Sequence, residues 1–119
     1  MSVQVAPRKT LVVNQSMVAS NTFTVDMKHH LTFQPKHMCI KQLIYANIAG
    51  TDLGTYLLWS SVHNDFVGAL YIGIQSAPTS PDTIISLHQF TDTIQFMLTP
   101  ANGAYVTPTG NLTLTLEFY

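Results

Sequence analysis

His29, His30 and His37, with Asp26 and Cys39 close by, are the one stretch of this sequence that gathers several metal-ligating side chains. A closed zinc site needs four such groups aimed at one point. In an extended chain His29 and His30 point to opposite faces, so they cannot share an ion, whereas His37 and Cys39 lie two apart and can share a side. The segment therefore reads as a solvated, somewhat basic loop with no metal. Cys39 is the single cysteine, which rules out an internal disulfide and any paired-cysteine zinc motif, and it reads as a small buried apolar residue.

Other chemistries fare no better. A cupin-type centre needs two histidines one residue apart on a strand plus a glutamate, yet no His-x-His occurs and the single Glu, Glu117, sits near the end on the polar side of the final strand. Ser60, Ser61, His63 and Asp65 contain the residue types of a catalytic triad, but as neighbours in a strand and its turn they lack the nucleophile elbow that would expose a serine. Asp52, Asp82 and Asp92 could supply a pair of catalytic carboxylates, yet any protein has a few loop aspartates, and no glycine-rich phosphate loop is present. With no convergent acid, base and nucleophile, the expectation is a protein that is not an enzyme and uses no cofactor.

The elements that would position any site are strands. Alternation of apolar and polar residues recurs throughout, and no dozen residues show helical spacing. In Asn111–Tyr119, Leu112, Leu114, Leu116 and Phe118 share one face and the threonines and Glu117 the other. Earlier strands are expected at Thr10–Val13, Thr22–Met27, Met38–Ile48, Thr55–Val62, Phe66–Gln75, Thr83–Leu87 and Thr91–Leu98, with His30–Phe33 a short edge strand or a loop. Met38–Ile48 has apolar residues on both sides, Met38, Ile40, Ile44, Ala46 and Ile48 against Cys39, Leu43 and Tyr45, which predicts a central position. This strand and the next two read as a meander. Gly68 and Gly73 mark bulges or close backbone approaches. Ser76–Asp82 and Pro100–Gly110 are loops. The reading is all-β, an antiparallel two-sheet sandwich of jelly-roll type with eight or nine strands, spanning residues 10–119 behind a flexible N-terminal arm of residues 1–9.

Composition points beyond the fold. At 119 residues the chain can bury one core without staples. Charged residues are only 9%, where an ordinary soluble domain carries about 25%. An exterior that avoids Lys and Glu is what a partly covered surface looks like, because interface cores are depleted in those residues. All five cations (Arg8, Lys9, Lys28, Lys36, Lys41) precede residue 42 with Asp26 the one acid among them, a net +4, while the remaining five acids leave residues 42–119 at −5. Arg8-Lys9 is too short a basic run to wrap nucleic acid. The N-terminus does not read as a secretory signal and no stretch reaches membrane-spanning length.

Partner contact is expected from the exposed ends. Arg8 and Lys9 lie in the arm, and Tyr105 lies in a Pro- and Gly-bearing loop where an aromatic is either tucked under the chain or presented to a partner. Trp59 reads as core, and Tyr45, Tyr56 and Tyr71 as lining one sheet face. Met38-Cys-Ile-Lys-Gln-Leu-Ile-Tyr-Ala-Asn, the long stretch Gly54–Gln75 and the closing Gly110-Asn-Leu-Thr-Leu-Thr-Leu-Glu-Phe-Tyr resemble, in pattern, the small jelly-roll proteins of viral particles: minor capsid, penton or spike-head domains. That resemblance covers most of the chain and implies a structural subunit of the virion that self-assembles as trimers or pentamers and meets other structural proteins, its arm reaching a neighbour. The alternative is a carbohydrate-binding or receptor-attachment sandwich working through Tyr105. Both readings expect no nucleic acid and no membrane as partner.

Overall fold

The closing strand sets the frame. A computed structural model of the chain describes residues 6–16, 21–47, 55–61, 66–72, 80–87, 92–100 and 110–119. In it Gly110–Phe118 is one strand whose Leu112, Leu114, Leu116 and Phe118 are buried while Asn111 is exposed and Thr113, Thr115 and Glu117 are half-exposed. Eight strands are found among the described residues: β1 (Lys9–Ser16), β2 (Thr22–Asp26), β3 (His37–Asn47), β4 (Thr55–Ser60), β5 (Phe66–Tyr71), β6 (Thr83–Ser86), β7 (Thr93–Pro100) and β8 (Gly110–Phe118), with one helical turn, α1 (Met27–His30), after β2.

They form two antiparallel four-stranded sheets, ordered β1-β8-β3-β6 and β2-β7-β4-β5. This alternation of sheets along the chain is the jelly roll the sequence predicts. The inner faces meet in one core that includes Phe23, Val25, Leu57, Trp59, Phe96, Leu98 and the apolar residues of β3 and β8. Phe23 and Phe96, opposite each other across β2 and β7, stack with ring centroids 5.2 Å apart.

The expected meander is corrected. β4 pairs with β5, but β3 belongs to the other sheet, between β8 and β6, so the chain crosses the sandwich between β3 and β4. The central position predicted for this strand is observed; its predicted faces are not. Ile40 pairs with Leu116 and Gln42 with Thr115, so Lys41 is an extra residue, a β-bulge. The bulge reverses the alternation, placing Met38, Ile40, Leu43 and Tyr45 together on the core face and Cys39, Gln42, Ile44 and Ala46 on the outer one. Lys41 is thrown outward, where its Nζ meets Asp82 Oδ1 at 3.3 Å, and that contact raises the lysine's pKa. Asp82 itself holds a left-handed φ of 49°, a conformation aspartate tolerates, just ahead of β6.

A second bulge lies between β4 and β5. Trp59 opposes Gly68 and Ser60 opposes Phe66, which leaves Val67 as the extra residue. A Cβ at Gly68 would fall within the indole of Trp59, so glycine is what lets the ring lie flat against β5. At the start of β8, Gly110 has φ 150°, which a side chain would strain. α1 forms where the alternation ends: Asp26 caps it, its Oδ1 accepting from the Lys28 N–H at 3.1 Å, and Met27 turns into the core. Residues 31–36 then lead to β3 without regular structure, which settles the His30–Phe33 alternative as a loop behind a helical turn.

Deleting Lys41 should cost more than about 4 kcal/mol or abolish cooperative folding, since Leu43 and Tyr45 would be turned outward, whereas Lys41→Ala should cost under about 1 kcal/mol because it removes only an exposed ion pair. Gly68→Ala should cost about 1–3 kcal/mol by overpacking against Trp59. Urea unfolding followed by circular dichroism measures all three.

Candidate functional site

The metal-type residues do not converge. Among the described residues no group of three His, Cys, Asp or Glu side chains could hold an ion. His29 and His30 touch edge to face, with centroids 4.9 Å apart, on the exposed side of α1. His37 stacks on Tyr119. Cys39 is buried on the outer face of β3, opposite Glu117 and Ile84, and burial pushes its thiol pKa up.

Of the candidate carboxylates and serines, Asp82, Asp92 and Ser60 are engaged in structure. Asp82 pairs with Lys41, and Asp92 Oδ1 lies 2.9 Å from Lys28 Nζ, raising that lysine's pKa through the hydrogen bond. Ser60 is buried, and its Oγ approaches Gln95 Oε1 of the paired strand at 3.5 Å. Asp52, His63 and Asp65 lie outside the described residues, as does Tyr105.

Arg8 and Lys9 separate in role. Lys9 opens β1, opposite Phe118, instead of belonging to the arm, while residues 1–5 lie outside the described part. Arg8 is held by the last strand: its Nη1 lies 2.9 Å from Glu117 Oε1 and its guanidinium carbon sits 4.9 Å from the centre of the Tyr119 ring. The same tyrosine stacks on His37 at 5.3 Å, and its carbonyl accepts from the Lys36 and His37 N–H groups at 2.8 and 2.9 Å. A cation, an aromatic ring and an imidazole thus tie the entry of β1, the exit of β8 and the entry of β3 into one layer.

Around that layer the surface is basic. A cleft of about 210 Å³ runs between Pro7–Lys9 and His30, Thr32 and Phe33; a second of similar size lies across Thr32 and Phe33, beside Lys28, Leu31 and Gln34. Phe33 is a site residue that the sequence reading missed, because its neighbours Gln34 and Pro35 mark only a break in pairing.

The other unusual surface is apolar. Tyr56 and Tyr71, directly opposite on β4 and β5, meet edge to face at 5.4 Å on the outside of their sheet, 37% and 57% exposed, and the bulged Val67 is 50% exposed. The expectation that Tyr45 joins them is corrected: it points inward from the other sheet and is fully buried, because the Lys41 bulge turns it into the core. On the opposite sheet Val12 and Ile84 are exposed at 56% and 62%. Sequence alternation alone flags none of these as surface, since an apolar residue on a strand is assigned to the core by default.

No protein-family model matches the sequence, and no curated protein matches it. Among solved structures, the chain is similar to the core of a Drosophila nucleoplasmin-like protein, described for pentamer formation and histone binding, with a TM-score of 0.53 and 13% identity over 94% of this chain and 96% of that one. The likeness is one of fold. It overturns the expectation of a viral capsid or spike subunit: the jelly roll on which that expectation stood is matched by a pentamer-forming histone-binding core, so the strand pattern carries no viral signature. The virion location rested on the same resemblance, and the glycan alternative rested on Tyr105.

Proposed function

We propose that this chain is a non-catalytic assembly module, a jelly roll that associates with copies of itself into a ring of five. The observation that carries this reading is the apolar outer surface: Val12, Tyr56, Val67, Tyr71 and Ile84 stand exposed on a chain with 9% charged residues. Tyrosine is a favoured interface anchor, and depletion of charge marks the centre of contact surfaces. The Drosophila core that shares the fold forms pentamers, which supports both the self-association and the number.

Histone binding is not part of the proposal. A partner that basic calls for a surplus of acidic surface, and among the described residues Glu117, Asp82 and Asp92 are each paired with a cation while Asp26 caps α1. The absence of catalysis is supported by the structural engagement of Ser60, Asp82 and Asp92 described above.

Size-exclusion chromatography with light scattering tests the reading. The mass should be roughly five times the 13.2 kDa of the chain, as a closed head-to-tail ring of five requires. Tyr71→Lys, on an exposed position, should keep the β-sheet circular dichroism and weaken association by about 2 kcal/mol, as loss of an aromatic anchor does. A strict monomer at high concentration overturns the proposal.

A further inference from the structure

The two clefts that share Thr32 and Phe33 are not accounted for by self-association. Their chemistry is one-sided. Arg8, Lys9 and His30 line one and Lys28 borders the other, and among the described residues no carboxylate lines either. Among the described residues, the acids nearest this end are already committed: Glu117 to Arg8, Asp92 to Lys28, and Asp26 to the cap of α1. Lys9 and Lys36 are both exposed, and among the described residues neither has a carboxylate within ion-pair distance. Free positive charge therefore gathers where the entries of β1, β3 and α1 meet.

The floor of the same site is apolar. Phe33 is half-buried and packs on the core, with Leu31 and Pro35 buried beside it. Each cleft encloses about 210 Å³, and side by side they reach the lower end of the ~300–1,000 Å³ typical of small-ligand sites. Cations at the rim over an aromatic floor fit a ligand carrying both carboxylates and an apolar side chain. Nucleic acid fits less well, because a strand tracks a longer row of cations and stacks its bases on exposed rings, and here Lys9 and Lys36 are the two lysines without a carboxylate partner among the described residues and Phe33 is half-buried against the core.

We propose that the paired clefts bind a short extended acidic segment of a partner protein, with a carboxylate on Lys9, a hydrogen bond from His30 and an apolar side chain against Phe33. This site does not require the chain to self-associate, so it stands or falls separately from the ring.

The test is fluorescence anisotropy of the full chain with a fluorescein-labelled peptide of alternating Asp and Leu. Saturable binding is expected, weakened at least about tenfold by Lys9→Glu, because a like charge then faces the ligand. The Asn-Leu version of the peptide should bind at least about tenfold more weakly, and added salt should weaken the Asp-Leu complex. Should Lys9→Glu fail to fold by circular dichroism, Lys9→Gln is read instead, with a smaller loss expected. Absence of saturable binding, indifference to the Lys9 variant that folds, or equally tight binding of an oligothymidylate overturns the proposal.

Discussion

Side chains on a strand alternate between two faces, so two paired strands that both feed one core must keep the same parity along their whole length. β8 leaves no freedom in this respect, because Leu112, Leu114, Leu116 and Phe118 are all fully or almost fully buried. β3 runs beside it with Met38 and Ile40 at even positions and Leu43 and Tyr45 at odd ones, so a regular pairing would turn one pair outward. Burying a large apolar side chain is worth about 1.5–3 kcal/mol, so two misplaced residues cost several times what one irregular residue does. The bulge at Lys41 is the cheaper solution, and the residue ejected is one whose ammonium belongs in water.

Because β3 and β8 stay in phase, their ends arrive together. Tyr119 and His37 exchange backbone hydrogen bonds at 2.9 and 3.1 Å, their rings stack, and Arg8 lies over the tyrosine while pairing with Glu117. The charge split along the sequence resolves here and at two further points. Arg8–Glu117, Lys28–Asp92 and Lys41–Asp82 each join a cation of the first 41 residues to an acid of the remainder. Segregation in the sequence thus becomes cross-linking in space, and the two lysines without such a partner among the described residues, Lys9 and Lys36, stand at the basic end. Each pair is exposed on at least one side and contributes little alone.

Most of the fold was readable because alternation is a local signal, and the fully alternating segments β2 and β8 were placed to within a residue or two. What was not readable depended on relations between segments. The bulge at Lys41 has no local mark: one residue out of phase looks the same as a strand that is apolar on both sides. The meander failed because short connections occur both within a sheet and between sheets. On the candidate site, Arg8 and Lys9 were identified as chemistry-bearing, but their separation into a held cation and a free one follows from where Glu117 falls on β8. Phe33 was invisible because its importance comes from the cleft walls that converge on it.

The edges of the sheets carry the last constraint. An edge strand offers unpaired N–H and C=O groups, and proteins protect such strands by keeping them short or charged. β2 and β6 are short, at five and four residues, whereas β1 and β5 run to eight and six. β1 carries a lysine only at its first position and shows Val12 to solvent; β5 has no charge and shows Val67 and Tyr71. The two longer, less protected edges thus belong to different sheets and differ in sequence. A contact that pairs one with the other is heterologous, and a heterologous contact between identical copies either closes into a ring or extends without limit. The angle between the two edges, set by the sandwich, decides which.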